Sequence, residues 1–228
     1  AFQPASSILL MSYTNRAVDE ICEMLVDSGI PFLRLGSEYS CDERFRPYLI
    51  EKAISDCPKL EAIKQYIIGT RVIVGTTSMM TSKPFIFSLK HFKLAIIDES
   101  SQILEPNLIG LLSAVDKFIL IGDHKQLPAV VSQPREMSRV TEDSLQAIGL
   151  TDCRNSLFER LHRLSSLQGT KNIVEMLHRQ GRMHPSICEF VNRNYYNGGL
   201  DAVPLPHQQE PLAFGTRPDD DRWTAFVA

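Results

Sequence analysis

Apolar residues along this chain are arranged in two ways: short uninterrupted runs, and longer stretches in which they recur every three or four positions. Runs of the first kind occupy residues 8–11 (Ile8-Leu9-Leu10-Met11), 71–75 (Arg71-Val72-Ile73-Val74-Gly75), 94–97 (Leu94-Ala95-Ile96-Ile97) and 118–121 (Phe118-Ile119-Leu120-Ile121). A strand that is apolar along its length has both faces covered, so each run predicts a buried strand. Residues 31–35 add another, closed by Gly36. Ala17, Val18, Ile21, Cys22, Leu25 and Val26 follow helical spacing and predict a helix with Asn15 as its N-cap and Gly29 as its stop. A second helical stretch, around residues 108–112, separates the last two strands. Strands that alternate with helices predict an α/β fold built on a doubly wound parallel sheet.

The segments between are polar. Residues 37–69 show helical patterning without a strand and read as a small insertion at the rim of the sheet. Beyond Pro128 the chain reads as loop, mainly over residues 133–143, and then as a helix containing Ser156-Leu157-Phe158-Glu159-Arg160-Leu161. Residues 172–177 read as a crossover strand, and residues 185–196 as a helix with Pro185 in its first turn. Pro204, Pro206, Pro211 and Pro218, with the acidic run Asp219-Asp220-Asp221, break up the remainder until residues 223–227, where a short strand is expected.

Composition narrows the class without choosing a partner. The 228 residues are 43% hydrophobic, enough for a buried core. With 24 basic against 27 acidic residues the net charge is -3, so no global field recruits nucleic acid and any such binding rests on a local surface. Cys22, Cys41, Cys57, Cys153 and Cys188 are odd in number and widely spaced, which argues against a disulfide framework or a zinc site and suits a reducing cytoplasm. No stretch reaches the ~20 apolar residues that span a bilayer. Residues 1–7 show no signal-peptide pattern, so no membrane partner is expected.

Chemistry collects where two of the apolar runs end. Residues 94–97 lead into Asp98-Glu99-Ser100-Ser101-Gln102, and residues 118–121 into Gly122-Asp123-His124-Lys125-Gln126-Leu127-Pro128. Strands that release acidic and amide side chains at their C-terminal ends are how an open parallel sheet builds a nucleotide-phosphate site. An aspartate there can hold magnesium through its water shell, and a neighbouring glutamate can orient and deprotonate an attacking water. Gln126, able to donate and accept, suits a group that senses a γ-phosphate. The plain alternative is an acidic turn after a strand, and it weakens once two consecutive strands end this way. No Gly-x-x-x-x-Gly-Lys-Ser/Thr loop occurs, so the nest and lysine that hold the β- and γ-phosphates are not among these residues. Gly-x-Gly-x-x-Gly and Gly-x-Ser-x-Gly patterns are also missing, which weighs against dehydrogenase and serine-hydrolase readings. His91, His162, His178 and His207 show no metal spacing and receive no role, and His124 and His184 read as turn formers.

These segments resemble the superfamily 1 helicases. The stretch from Asp98 to Gln102 looks like motif II, and that from Gly122 to Pro128 looks like motif III. The nearer likeness is to the superfamily 1B branch, which includes the RNA helicase of nonsense-mediated decay and related DNA helicases. Ser156 to Leu161 is similar to a segment that follows motif III there, and Gln180-Gly181-Arg182-Met183-His184-Pro185 is similar to motif IV, normally Gln-Tyr-Arg-Met-His-Pro. Ser12-Tyr13-Thr14-Asn15-Arg16-Ala17-Val18-Asp19 looks like motif Ia, and Gly75-Thr76-Thr77-Ser78 resembles the motif after the next strand that also faces nucleic acid.

The resemblance implies a RecA-like P-loop NTPase fold, with residues 1–170 as a first RecA-like lobe and residues 171–228 as the start of a second. It implies a parent enzyme that binds ATP and Mg2+ and couples hydrolysis to 5′-to-3′ movement on single-stranded DNA or RNA. Asp98 is then the magnesium-site carboxylate, Glu99 the general base, and Gln126 the γ-phosphate sensor beside Asp123. Arg182 is a cation from the second lobe whose planar fork stabilises charge on phosphoryl oxygens. Ser12, Tyr13, Thr14, Asn15, Thr76 and Thr77 are the implied nucleic-acid contacts, with Tyr13 available to stack on a base. The rest of the helicase is the implied partner, and the cytoplasm, or the nucleus in a eukaryote, the implied compartment.

This sequence departs from the family in two ways. The likeness begins after motif I and ends before motifs V and VI, so turnover of ATP by these residues alone is expected to be negligible. Gly181 stands where tyrosine is usual, which removes an aromatic ring from the neighbourhood of the nucleotide. The rival reading is a non-catalytic nucleic-acid-binding or assembly module that keeps the helicase fold.

Overall fold

Five apolar runs assemble into one sheet. They are β1 (Ile8–Ser12), β2 (Phe32–Arg34), β3 (Val72–Thr76), β4 (Leu94–Ile97) and β5 (Phe118–Leu120), all parallel, in the order β2-β3-β1-β4-β5. The computed structural model describes residues 7–55, 59–170 and 173–209. The chain divides into two compact units, Ala1–Lys171 and Asn172–Ala228, and the sheet belongs to the first.

Parallel strands need crossovers, and helices supply them. Those between the strands are α1 (Asn15–Asp27), α2 (Ile50–Ala53), α3 (Leu60–Gly69), α4 (Thr77–Ser82), α5 (Phe85–Leu89) and α6 (Glu105–Leu112), and after β5 come α7 (Arg135–Ser138), α8 (Asp143–Ala147) and α9 (Leu157–Gln168). Alternate strand residues point to opposite faces, and both faces are packed. Leu9, Met11, Leu33, Ile73, Ala95 and Ile97 meet Met80, Ile86, Phe92, Ile103, Leu108 and Leu157 on one side. Phe32, Val72 and Val74 meet Val18, Cys22 and Leu25 of α1, and Phe45 and Leu49 of the insertion, on the other. The RecA-like α/β expectation holds.

Local details differ from the sequence expectation for physical reasons. The cap of α1 is Thr14, in extended conformation with its hydroxyl accepting from the Ala17 amide at 3.2 Å, while Asn15 is already helical. Gly29, at φ +64°, ends that helix in the left-handed region as expected. The strand at residues 118–121 is not buried: Phe118 is 43% and Ile119 48% exposed, because among the described strands β5 is an edge with one neighbour. The described part of residues 37–69 holds helical elements, with a bridge from Leu49 to Arg34. The stretch over residues 133–143 is loop interrupted by α7.

In the second unit the expected strand at residues 172–177 is replaced by irregular chain over its described part, residues 173–177. Ile173 and Leu177 are exposed, so no neighbouring strand rewards extension there. The strands are β6 (Arg179–Gln180) and β7 (Asp201–Ala202), a parallel pair flanking α10 (Pro185–Tyr195), followed by α11 (Pro206–Gln209). The expected strand at residues 223–227 lies outside the described residues. Among the described residues no helix is long and apolar enough to cross a membrane.

Candidate functional site

β4 and β5 are neighbours in register, Ile97 beside Leu120, so the two acidic turns leave the same edge side by side. Their polar groups lock the turns together. Ser100 sends both its amide and its hydroxyl to the Ile121 carbonyl, at 2.8 and 2.7 Å, and the Asp123 amide donates to the Ser101 hydroxyl at 3.2 Å. Gly122 sits against this lock: a Cβ there would lie 2.8 Å from the Ser101 nitrogen and 3.0 Å from the Ser100 hydroxyl oxygen. Only a residue without a side chain lets the two turns approach so closely.

Within that lock the carboxylates are oriented one by one. Asp98, half-buried, accepts from the Glu99 amide at 2.9 Å. Glu99 takes a left-handed backbone conformation, φ 52° and ψ 32°, which costs a non-glycine residue ~1–3 kcal/mol and is tolerated where surrounding structure imposes it. Its carboxylate accepts from the Gln102 side-chain amide at 2.9 Å. Asp123 accepts from the Lys125 amide at 2.9 Å and from the Gln126 side-chain amide at 3.0 Å. Asp98, Glu99, Asp123 and Gln126 are therefore gathered along one edge.

This donor set fits magnesium. Hard carboxylate oxygens are present, and among the described residues no three metal-ligating side chains converge. One or two carboxylates are what this ion takes from a protein when phosphate oxygens and water fill its other positions.

The turns after β1 and β3 are built differently. Ser12 is fully buried, with no hydrogen-bond partner for its hydroxyl among the described residues, and Thr77 is buried at the start of α4, because the strand end and the helix start are packed against the core. The Thr14 and Thr76 hydroxyls cap α1 and α4, the latter accepting from the Met79 amide at 3.1 Å. Tyr13, Thr14 and Asn15 are exposed.

Arg182 belongs to the second unit and is exposed on a turn held by a side chain that sequence reasoning left without a role. The Gln180 side-chain oxygen accepts from the Arg182 and Met183 amides at 3.0 and 2.8 Å, and its nitrogen donates to the Met183 carbonyl at 3.1 Å. Gln208, almost wholly buried, donates to the Met183 and Gln180 carbonyls at 2.9 and 3.3 Å. An amide two residues before the arginine was a readable signal for such a clamp; nothing marks Gln208, which comes from far along the chain.

Ser100, Ser101 and Gln102 likewise carry no individual task in the sequence pattern, and neither does Arg160. It is buried on α9 and forms two parallel bonds to Glu105 at the start of α6, at 2.8 and 2.5 Å. Its partner lies 55 positions away, so no local pattern announces the pair.

Two family models, each described as an AAA domain, match this chain, over residues 58–134 and 153–226. The chain is 36% identical over 196 residues to the DNA replication ATP-dependent helicase/nuclease DNA2 of Bos taurus, covering 86% of this chain and 17% of the relative. The Homo sapiens protein of the same name is 35% identical over 196 residues, with 86% and 17% covered. The DNA replication ATP-dependent helicase/nuclease JHS1 of Arabidopsis thaliana is 34% identical over 222 residues, 97% of this chain and 15% of the relative. The chain thus spans less than a fifth of the length of these relatives.

Proposed function

Because the chain belongs to the superfamily 1 helicases, we propose that its parent couples hydrolysis of ATP, with Mg2+, to movement along a single strand, and that this strand is DNA. The DNA assignment rests on the names of the relatives, all three of which are DNA replication helicase/nucleases. The observation that carries the reading is the mutual lock of two neighbouring strand ends, which collects three carboxylates and an amide where an open sheet binds phosphates.

Each residue has a task in this reading. Asp98 would hold magnesium, and the ion when bound would supply charge neutralisation on phosphate oxygens. Glu99 accepts the proton of the attacking water, its carboxylate aimed by the Gln102 amide. Gln126 reports the γ-phosphate by exchanging its bond to Asp123 for one to phosphate or water. Arg182, on its Gln180-clamped turn, contributes a planar cation suited to phosphoryl oxygens. Tyr13, Thr14 and Asn15, with Thr76 behind them, contact the strand through its backbone and one stacked base. The uncovered faces of β5 support the rest of the helicase as the neighbour that completes this sheet. Hydrolysis belongs to that whole assembly, and these residues alone bind nucleotide weakly and do not turn it over.

The test is Glu99→Gln in the full-length parent. Turnover should fall by about 10²- to 10⁴-fold while ATP affinity is retained, since only the proton acceptor is lost. Turnover near the wild-type rate removes Glu99 as the base.

A further inference from the structure

The turn that carries Gln126 is held from one further side. His124, half-buried within that turn, lies against His162 of α9, with ring centroids 4.4 Å apart and planes tilted by 37°. Phe158, one helical turn earlier on the same stripe of α9, stacks with His162 at 6.4 Å and 19° and sits 6.4 Å from His124. The same helix is fixed to the segment that follows Glu99. Ser156, its cap, bridges Leu104, Leu157 is buried in the core, and Arg160 grips Glu105 in two parallel bonds. α9 thus has one rigid attachment downstream of Glu99 and another on the turn of Gln126.

We propose that α9 is a brace for catalysis, in which Phe158 and His162 are positioning residues that hold His124 and thereby fix Gln126 relative to Glu99. The inference rests on the helicase reading above and deepens it, assigning a task to the segment Ser156 to Leu161 and to His124 and His162. Neither Phe158 nor His162 touches the reacting atoms. Their contribution is placement: a displacement of ~1 Å at a catalytic group can cost ~10²-fold in rate.

Burial holds the His124 imidazole below its ordinary value of 6.5, with the facing His162 and Lys125 adding to this and Asp123 and Glu159 opposing it, so the neutral ring that packs against His162 is the favoured form. A phenylalanine at position 162 keeps a ring in the stack.

The experiment measures ATPase turnover of the full-length parent with magnesium-ATP and a single-stranded DNA oligonucleotide for wild type, His162→Ala, His162→Phe, Phe158→Leu and Gln126→Ala. His162→Ala should lower kcat by about 10-fold or more with the KM for ATP within about twofold, the signature of a lost transition-state placement. His162→Phe should restore most of that rate, because it keeps a ring against His124. Wild-type turnover by His162→Ala beside an inactive Gln126→Ala overturns the brace and leaves the helicase reading standing. Wild-type turnover by Gln126→Ala overturns the reading itself, and the brace with it. Should His162→Ala fail to fold, Phe158→Leu replaces it, and a folded Phe158→Leu with wild-type kcat overturns the proposal.

Discussion

The turns after β1 and β3 leave the same edge of one sheet as the turns after β4 and β5, yet the two pairs place their polar side chains in opposite ways. In the first pair the hydroxyls of Thr14 and Thr76 close their own helices, bonding amides three residues ahead. In the second pair Ser100 and Ser101 reach across to the neighbouring turn, more than 20 positions away, leaving Asp98, Glu99 and Asp123 at the open edge. A capping hydroxyl stabilises one helix. A cross-turn hydroxyl sets the distance between two chemical groups, which is what a site requires.

The comparison predicts that damage to the linked pair costs more than damage to the capped pair. The largest effect is expected where α9 meets α6. Arg160→Met leaves Glu105 buried without its partner and should destabilise by about 3–5 kcal/mol in denaturant unfolding. The double variant Arg160→Met with Glu105→Leu should recover much of that loss, because the uncompensated charge is gone. Recovery absent from the double variant means packing, not charge, fixes α9. Next comes Gly122→Ala, whose added carbon meets backbone at 2.8 Å. About 1–3 kcal/mol of destabilisation is expected from the forced shift, read as a lower unfolding midpoint at constant slope. A neutral Gly122→Ala shows that the two turns are free to separate.

The smallest effects belong to the capped pair. Thr14→Ala should cost about 1 kcal/mol through loss of the α1 cap. Ser12→Ala should be close to neutral or stabilising, since the hydroxyl it removes is buried with no partner among the described residues. Unfolding curves of the two variants side by side check both, and a Ser12→Ala loss exceeding that of Thr14→Ala contradicts the hydrogen-bond assignment at this edge.

Legibility in the sequence follows the range of the interaction. The helix of residues 15–27 was readable because its stripe and its glycine stop are local, and even the misplaced cap was wrong by one position. β3 and β4 were readable because residues buried on both faces admit almost nothing polar. β5 looked the same in sequence and proved exposed, since a run of apolar residues says nothing about how many neighbours a strand has. Ser12 and Thr77 looked like surface hydroxyls for the same reason: a residue type carries a capacity to hydrogen-bond, not an address.

By itself the sequence determined the alternation of strands and helices, the parallel sheet this demands, and the residue types at the two acidic strand ends, because each is written in periodicity or in contiguous side-chain chemistry. Only the tertiary structure decided that Ser100 and Ser101 pin Gly122, that Gln208 supports the turn of Arg182, and that Arg160, Phe158 and His162 make α9 a tie between distant segments. Those contacts join positions 21 to 55 residues apart, and strand order and helix placement, not local propensity, bring such positions together.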